Sequence, residues 1–154
     1  MNPDNTLLIV YHSQSGNTLR LAASVSEGAR RVDGVTVRLE QAARVNAELL
    51  RESRVLVVCS PEYFGYMAGA IKDLFDRTYD EVRPYVAGKP YAVVISAGND
   101  GTGALTSIER IIAGYRFRKV QEPIICTGEV TDEALDKCRG LGETLAAGID
   151  LGIY

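Results

Sequence analysis

Cysteine, histidine and net charge are all scarce in this chain. Among its 154 residues are three cysteines, Cys59, Cys126 and Cys138, widely spaced and without a CxxC pair. That pattern excludes a disulfide framework, and the one histidine, His12, cannot complete a metal centre with them. Cys59 and Cys126 each follow an apolar run and Cys138 fits the apolar stripe of a helix, so all three are expected as buried, inert thiols. A formal net charge of only -3 excludes the strongly charged surface that nucleic acid or an anionic membrane would need. Long apolar runs are missing too: stretches such as Val55–Val58 and Ala92–Ile95 fall far short of the roughly 20 residues that span a bilayer. The opening Met1-Asn2-Pro3-Asp4-Asn5 has no basic region and no apolar leader core behind it, so a cytoplasmic location is expected.

What the chain does have is alternation. Five short apolar runs read as strands: Leu7–Tyr11, Val35–Leu39, Val55–Cys59, Ala92–Ala97 and Pro123–Cys126. Several are apolar at successive positions, as expected where a strand is covered on both faces. Helical spacing fills the gaps. Thr18, Ala22, Val25 and Ala29 share one face, and Ile71, Leu74, Phe75 and Tyr79 another. Leu105, Ile108, Ile111 and Ile112 form a third stripe, and Ala134, Cys138, Leu141, Leu145 and Ile149 a fourth; Ala47–Glu52 reads as a short linking helix. This predicts one α/β domain over residues 1–154, a three-layer sandwich around a five-stranded parallel sheet in the order 2-1-3-4-5. In such a sheet, ligands sit beyond the carboxyl ends of the strands where the winding reverses, which directs attention to three loops.

The first loop, Ser13-Gln14-Ser15-Gly16-Asn17-Thr18, packs three hydroxyls, an amide and a glycine into a helix start. Backbone N–H groups converge there and the helix dipole favours negative charge, which suits a phosphate dianion. Gly16 permits a positive φ, and Ser13, Ser15 and Thr18 add hydroxyl donors. A simple helix cap is the plainer alternative, but six such residues exceed what a cap needs. No P-loop or GxGxxG fingerprint is present: Gly101-Thr102-Gly103 is followed by Ala104-Leu105-Thr106. The second loop, Ser60 to Gly69, clusters Tyr63, Phe64 and Tyr66, the aromatic walls a flat tricyclic ring requires, and Gly65 lets backbone groups approach the ring edge. The third, Ser96-Ala97-Gly98-Asn99-Asp100-Gly101, can present backbone donors to a ligand; an ordinary turn ending in Thr102 as N-cap is the alternative.

Ser13-Gln14-Ser15-Gly16-Asn17-Thr18 resembles the flavodoxin phosphate motif, Thr/Ser-x-Thr/Ser-Gly-x-Thr. The resemblance implies a flavodoxin-like fold, FMN as cofactor, and its phosphate in this loop. Pro61-x-x-Phe64-Gly65-x-Met67-Ala68-Gly69 followed by Asp76-Arg77-Thr78 resembles the tryptophan-repressor-binding-protein type of NAD(P)H:quinone reductases. That likeness implies Glu62, Tyr63, Phe64 and Gly65 along the flavin ring, with Pro61 among the cofactor-binding residues, and it leaves a homodimer open, since those relatives form dimers or larger assemblies. The third loop resembles the stretch that touches the flavin's pyrimidine side and ribityl chain. Tyr63 stands where the reductases carry arginine, and this loop lacks their histidine.

Two functions follow from these likenesses. One is an oxidoreductase that passes electrons from NAD(P)H through FMN to a quinone, flavin or similar small acceptor. The other is a flavodoxin-type one-electron carrier between redox proteins, a class whose members are usually more acidic than this chain. Neither needs a nucleophile or an essential acid. Arg110, Arg116, Arg118 and Lys119 make a basic stretch that reads first as a solvated helix end, or else as a contact for a nicotinamide cofactor's phosphate or an acidic redox partner.

Overall fold

Strands apolar at every position must be covered on both sides, and that requirement organises the molecule. The computed structural model describes residues 4–154; Met1, Asn2 and Pro3, read above for a leader, lie outside the described residues. Strands β1 (Thr6–Tyr11), β2 (Thr36–Gln41), β3 (Val55–Tyr63) and β5 (Pro90–Ala97) lie in parallel in the order β2-β1-β3-β5. The expected fifth strand comes in two pieces, both paired with β5. β6 (Arg118–Lys119) lies beside Pro90 and Tyr91, and β7 (Ile124–Thr127) beside Val94–Ala97. The 2-1-3-4-5 order is thus present, with the outer strand broken over residues 120–123.

Successive strand residues point to opposite faces and feed two cores. Leu8, Val10, Leu56 and Val58 pack with α3 (Gly69–Val82) and α4 (Thr102–Tyr115). Leu7, Ile9, Val55 and Val57 pack with α1 (Asn17–Ala29) and α5 (Asp132–Asp150). Three layers result, as the periodicities predict. The short helix α2 (Ala47–Glu52) has the expected bounds, capped by the Asn46 side chain, which accepts from Leu49 N at 2.8 Å. All three cysteines are buried and free; burial pushes the Cys59 thiol well up and the Cys138 thiol to about 12.

Because β1, β3 and β5 are parallel neighbours, the loops that follow them emerge along one edge of the sheet. The fold therefore brings the three loops singled out above to a common place.

Candidate functional site

The first loop ends in a left-handed residue: Gly16 has φ +98 and stands at the N-cap of α1. No Cβ could be carried there without strain, and the space where one would project is open, with no atom within 4 Å. Gly16 offers no capping side chain. The amides of Asn17, Thr18 and Leu19 consequently have no acceptor among the described residues, and the first hydrogen bond of the helix is Arg20 N to Gly16 O at 3.0 Å. Ser13 Oγ accepts from Gly16 N at 3.1 Å and curls the loop back on itself. Gln14 and Ser15 are exposed, whereas Thr18 is 2% exposed in the first turn of α1.

The second loop is a hairpin, which the apolar pattern does not announce. β3 continues past Cys59 to Tyr63 and turns back through β4 (Tyr66–Met67), pairing Glu62 with Met67 and Tyr63 with Tyr66. Phe64 (φ 53) and Gly65 (φ 69) form the two-residue connection, the doubly positive geometry of a type I′ turn. Phe64 is completely exposed at its tip and Tyr66 is 43% exposed. Tyr63 faces the first loop. Its ring meets His12 edge-on at 6.1 Å, and its phenol, pushed up by burial, is opposed by a hydrogen bond from the Gln14 backbone. Ser60 and Pro61 are buried under the hairpin, where Ser60 Oγ donates to Pro61 O at 2.7 Å and accepts from Ala68 N at 3.0 Å.

The third loop is tied to the second. Glu62 Oε2 accepts from Ala104 N at 3.0 Å, inside the first turn of α4. A Cβ on Gly103 would lie 2.1 Å from Gly65 O, so glycine alone lets the hairpin turn sit on the start of α4. Ser107 Oγ accepts from Met67 N at 3.1 Å. Asp100 Oδ1 accepts from Thr102 N at 3.0 Å and Thr102 Oγ1 at 2.8 Å, and these bonds hold its carboxyl below the usual range. Asp100 and Glu62 therefore satisfy the start of α4, and Thr102 is its first helical residue with Gly101 at the cap position. Ser96 and Ala97 are the last, buried residues of β5; Gly98, Asn99 and Asp100 are exposed beside them, and Gly101 is buried.

The structure thus assembles Ser13–Thr18, Pro61–Gly65 and Ser96–Gly101 at one edge, with Tyr63 joining the first two loops and Glu62 the last two. The basic stretch is not part of it. Arg118 and Lys119 pair with Pro90 and Tyr91, at the opposite end of β5 and roughly 20 Å from Ala97 at strand spacing. Arg116 caps the far end of α4, and Lys119 sits 3.4 Å from Glu109. A solvated helix end is the reading that agrees with this placement. Sequence reasoning missed the links made by Ala104, Gly103 and Ser107; Gly103 signals only a flexible third loop and an incomplete GxGxxG run.

Comparison with known proteins finds flavodoxins. The flavodoxin family model matches residues 9–139. A flavodoxin of Aquifex aeolicus is 26% identical over 156 residues, covering 91% of this chain and 84% of that protein. A flavodoxin of Nitratidesulfovibrio vulgaris is 31% identical over 127 residues, covering 80% of this chain and 85% of that one. Among solved structures, a flavodoxin from the domain Archaea superposes with a TM-score of 0.80 at 24% identity, covering 94% of this chain and 99% of the other.

Proposed function

Because the chain belongs to the flavodoxin family, we propose that it holds FMN between its three loops and serves in electron transfer. The observation that carries this reading is the uncapped start of α1. Three amides without acceptors, open space over Gly16 and an exposed Ser15 fit a phosphate dianion, which neutral donors and the helix dipole can hold without lysine or arginine. Bound there, FMN would supply the redox chemistry, taking up and releasing electrons.

The chain's own residues bind, orient and shield. Tyr63, fixed by His12 and the Gln14 backbone, offers a half-buried aromatic wall next to the phosphate loop. Its phenol, pushed up by burial, stays protonated at neutral pH. Phe64 and Tyr66 extend the wall to the solvent rim. Glu62, being committed to Ala104 N, anchors the hairpin on α4, and the Asp100 side chain holds the turn into α4 through Thr102. No side chain is asked to form a covalent bond.

Exchange of electrons with a redox protein is the role we assign first. A second reading, NAD(P)H-dependent reduction of a quinone, flavin or similar acceptor, is favoured by Pro61-x-x-Phe64-Gly65-x-Met67-Ala68-Gly69 and its likeness to the tryptophan-repressor-binding-protein type of reductases. The basic stretch does not support it, since Arg116, Arg118 and Lys119 lie at the opposite end of the sheet. Rapid mixing of FMN-loaded protein with NADH or NADPH separates the two. Direct bleaching of the flavin band establishes the reductase; an unchanged band that bleaches only with a partner reductase establishes the carrier.

A further inference from the structure

The two edges of the sheet are built differently. β2, at one edge, carries Arg38 and Glu40 within the strand, paired at 2.8 Å, the kind of charged edge that discourages pairing with another chain. The other edge is in two parts: β6 carries the exposed Arg118 and Lys119, whereas β7, nearer the three loops, reads Ile-Ile-Cys-Thr and holds no charge. Among the described residues it pairs with β5 alone, so its outer N–H and C=O groups face away from the sheet. Ile124 and Ile125 are only partly buried there.

Beside this uncharged strand runs a cavity of about 400 Å3, between β7 and the first turns of α5. Ile124, Ile125 and Ala134 line it on the apolar side and Glu129, Glu133 and Lys137 on the charged side. Lys137 is already 3.5 Å from Glu133, which leaves the Glu129 carboxylate without a cationic partner among the described residues. Exposed Glu122 and Asp132 flank the groove and add to its negative sign. Its upper end touches the third loop: Gly128 N donates to Ala97 O at 2.8 Å, and the Ile125 side chain packs under Gly101.

We propose that β7 is a docking edge, to which an extended segment of a partner protein, bearing basic side chains, adds as a further strand. Main-chain hydrogen bonds to the outer side of Ile124–Thr127 would provide affinity. The apolar groove takes alternate side chains, and Glu129 and Glu133 select positive charge. A partner held this way is delivered next to the third loop; that it is a redox partner rests on the function proposed above, whereas the edge pairing does not.

The test is an amide-resolved NMR titration of the FMN-loaded protein with two capped seven-residue peptides, one alternating lysine and valine, the other glutamate and valine. The lysine peptide is expected to shift the amides of Ile124–Thr127 and slow their hydrogen exchange, with the glutamate peptide inert. Converting both rim carboxylates, E129K with E133K, is expected to weaken the lysine peptide roughly tenfold while the flavin spectrum stays unchanged. Ile124→Lys, which puts a charge on the edge itself, checks that the strand and not only the rim is needed. Equal response to both peptides, shifts confined to other surfaces, or affinity untouched by E129K/E133K would overturn the proposal. Because the readout is at β7, failure here leaves the flavin spectrum, and with it the cofactor assignment, standing.

Discussion

Glu62 at the end of β3 accepts a hydrogen bond from the Ala104 amide in α4 at 3.0 Å, so one carboxylate both caps a helix and pins the aromatic hairpin beside the third loop. Removing it with Glu62→Ala should cost about 1 kcal/mol, the usual worth of a capping side chain, while Glu62→Gln, which retains an acceptor oxygen, should cost less. Urea unfolding midpoints for the two variants check this. Equal losses would mean that the contact is incidental.

Gly103 carries the same junction from the other side. With Gly65 O only 2.1 Å from where a Cβ would stand, Gly103→Ala must push the hairpin off α4, at a cost of about 1–3 kcal/mol. A variant with wild-type stability and unchanged shifts at Tyr63–Tyr66 would contradict the packing described.

Lys89 provides a pH test far from the loops. It is 7% exposed, its ammonium donates to Ser53 O, and burial, aided by the Arg54 charge, lowers its pKa from 10.5 to about 8. Between those values the unfolded chain binds more protons than the folded one, so this lysine makes stability rise with pH over roughly pH 8 to 10. Lys89→Met should flatten that rise. Urea titrations of both proteins at pH 7.5, 8.5 and 9.5 provide the check, and parallel curves would count against the assignment.

The buried thiols give a simple chemical test. Cys59 and Cys138 are fully enclosed and their thiols are pushed up, so neither should react with a disulfide reagent at pH 8 while the protein is folded. Both should react once urea unfolds the chain. Rapid native labelling of either would show that the core opens.

The parts of this architecture that the sequence discloses are those set by local pattern. β1, β3 and β5 stand out because covered strands are apolar at successive positions, and the stripe Ile71, Leu74, Phe75 marks the buried face of α3. The Ser13–Thr18 loop is legible because the polar, glycine-containing start of a helix is itself a local pattern. The rest depends on contacts between distant residues. Nothing near Tyr63 indicates that two residues of β4 will pair with β3, because Phe64 takes a left-handed turn position usually held by Asn, Asp or Gly. The break between β6 and β7 is not visible in the Pro123–Cys126 run, and the link from Glu62 to Ala104 spans 42 positions. The basic stretch has a clear sequence signal, but only the register of Arg118 with Pro90 shows that it faces away from the crevice.

The central claim is that the start of α1 holds the phosphate of FMN, and Gly16 is where that claim is most exposed. Its φ of +98 makes Gly16→Val strained by about 1–2 kcal/mol, while the open space around it keeps the fold free of a clash. The deciding measurement is titration of the cofactor-free wild type and the folded Gly16→Val variant with FMN, followed by quenching of flavin fluorescence. Equimolar binding by the wild type, with affinity lost in the variant, is the expected result. A wild-type protein that ignores FMN, or a variant that binds it equally well, would contradict the account.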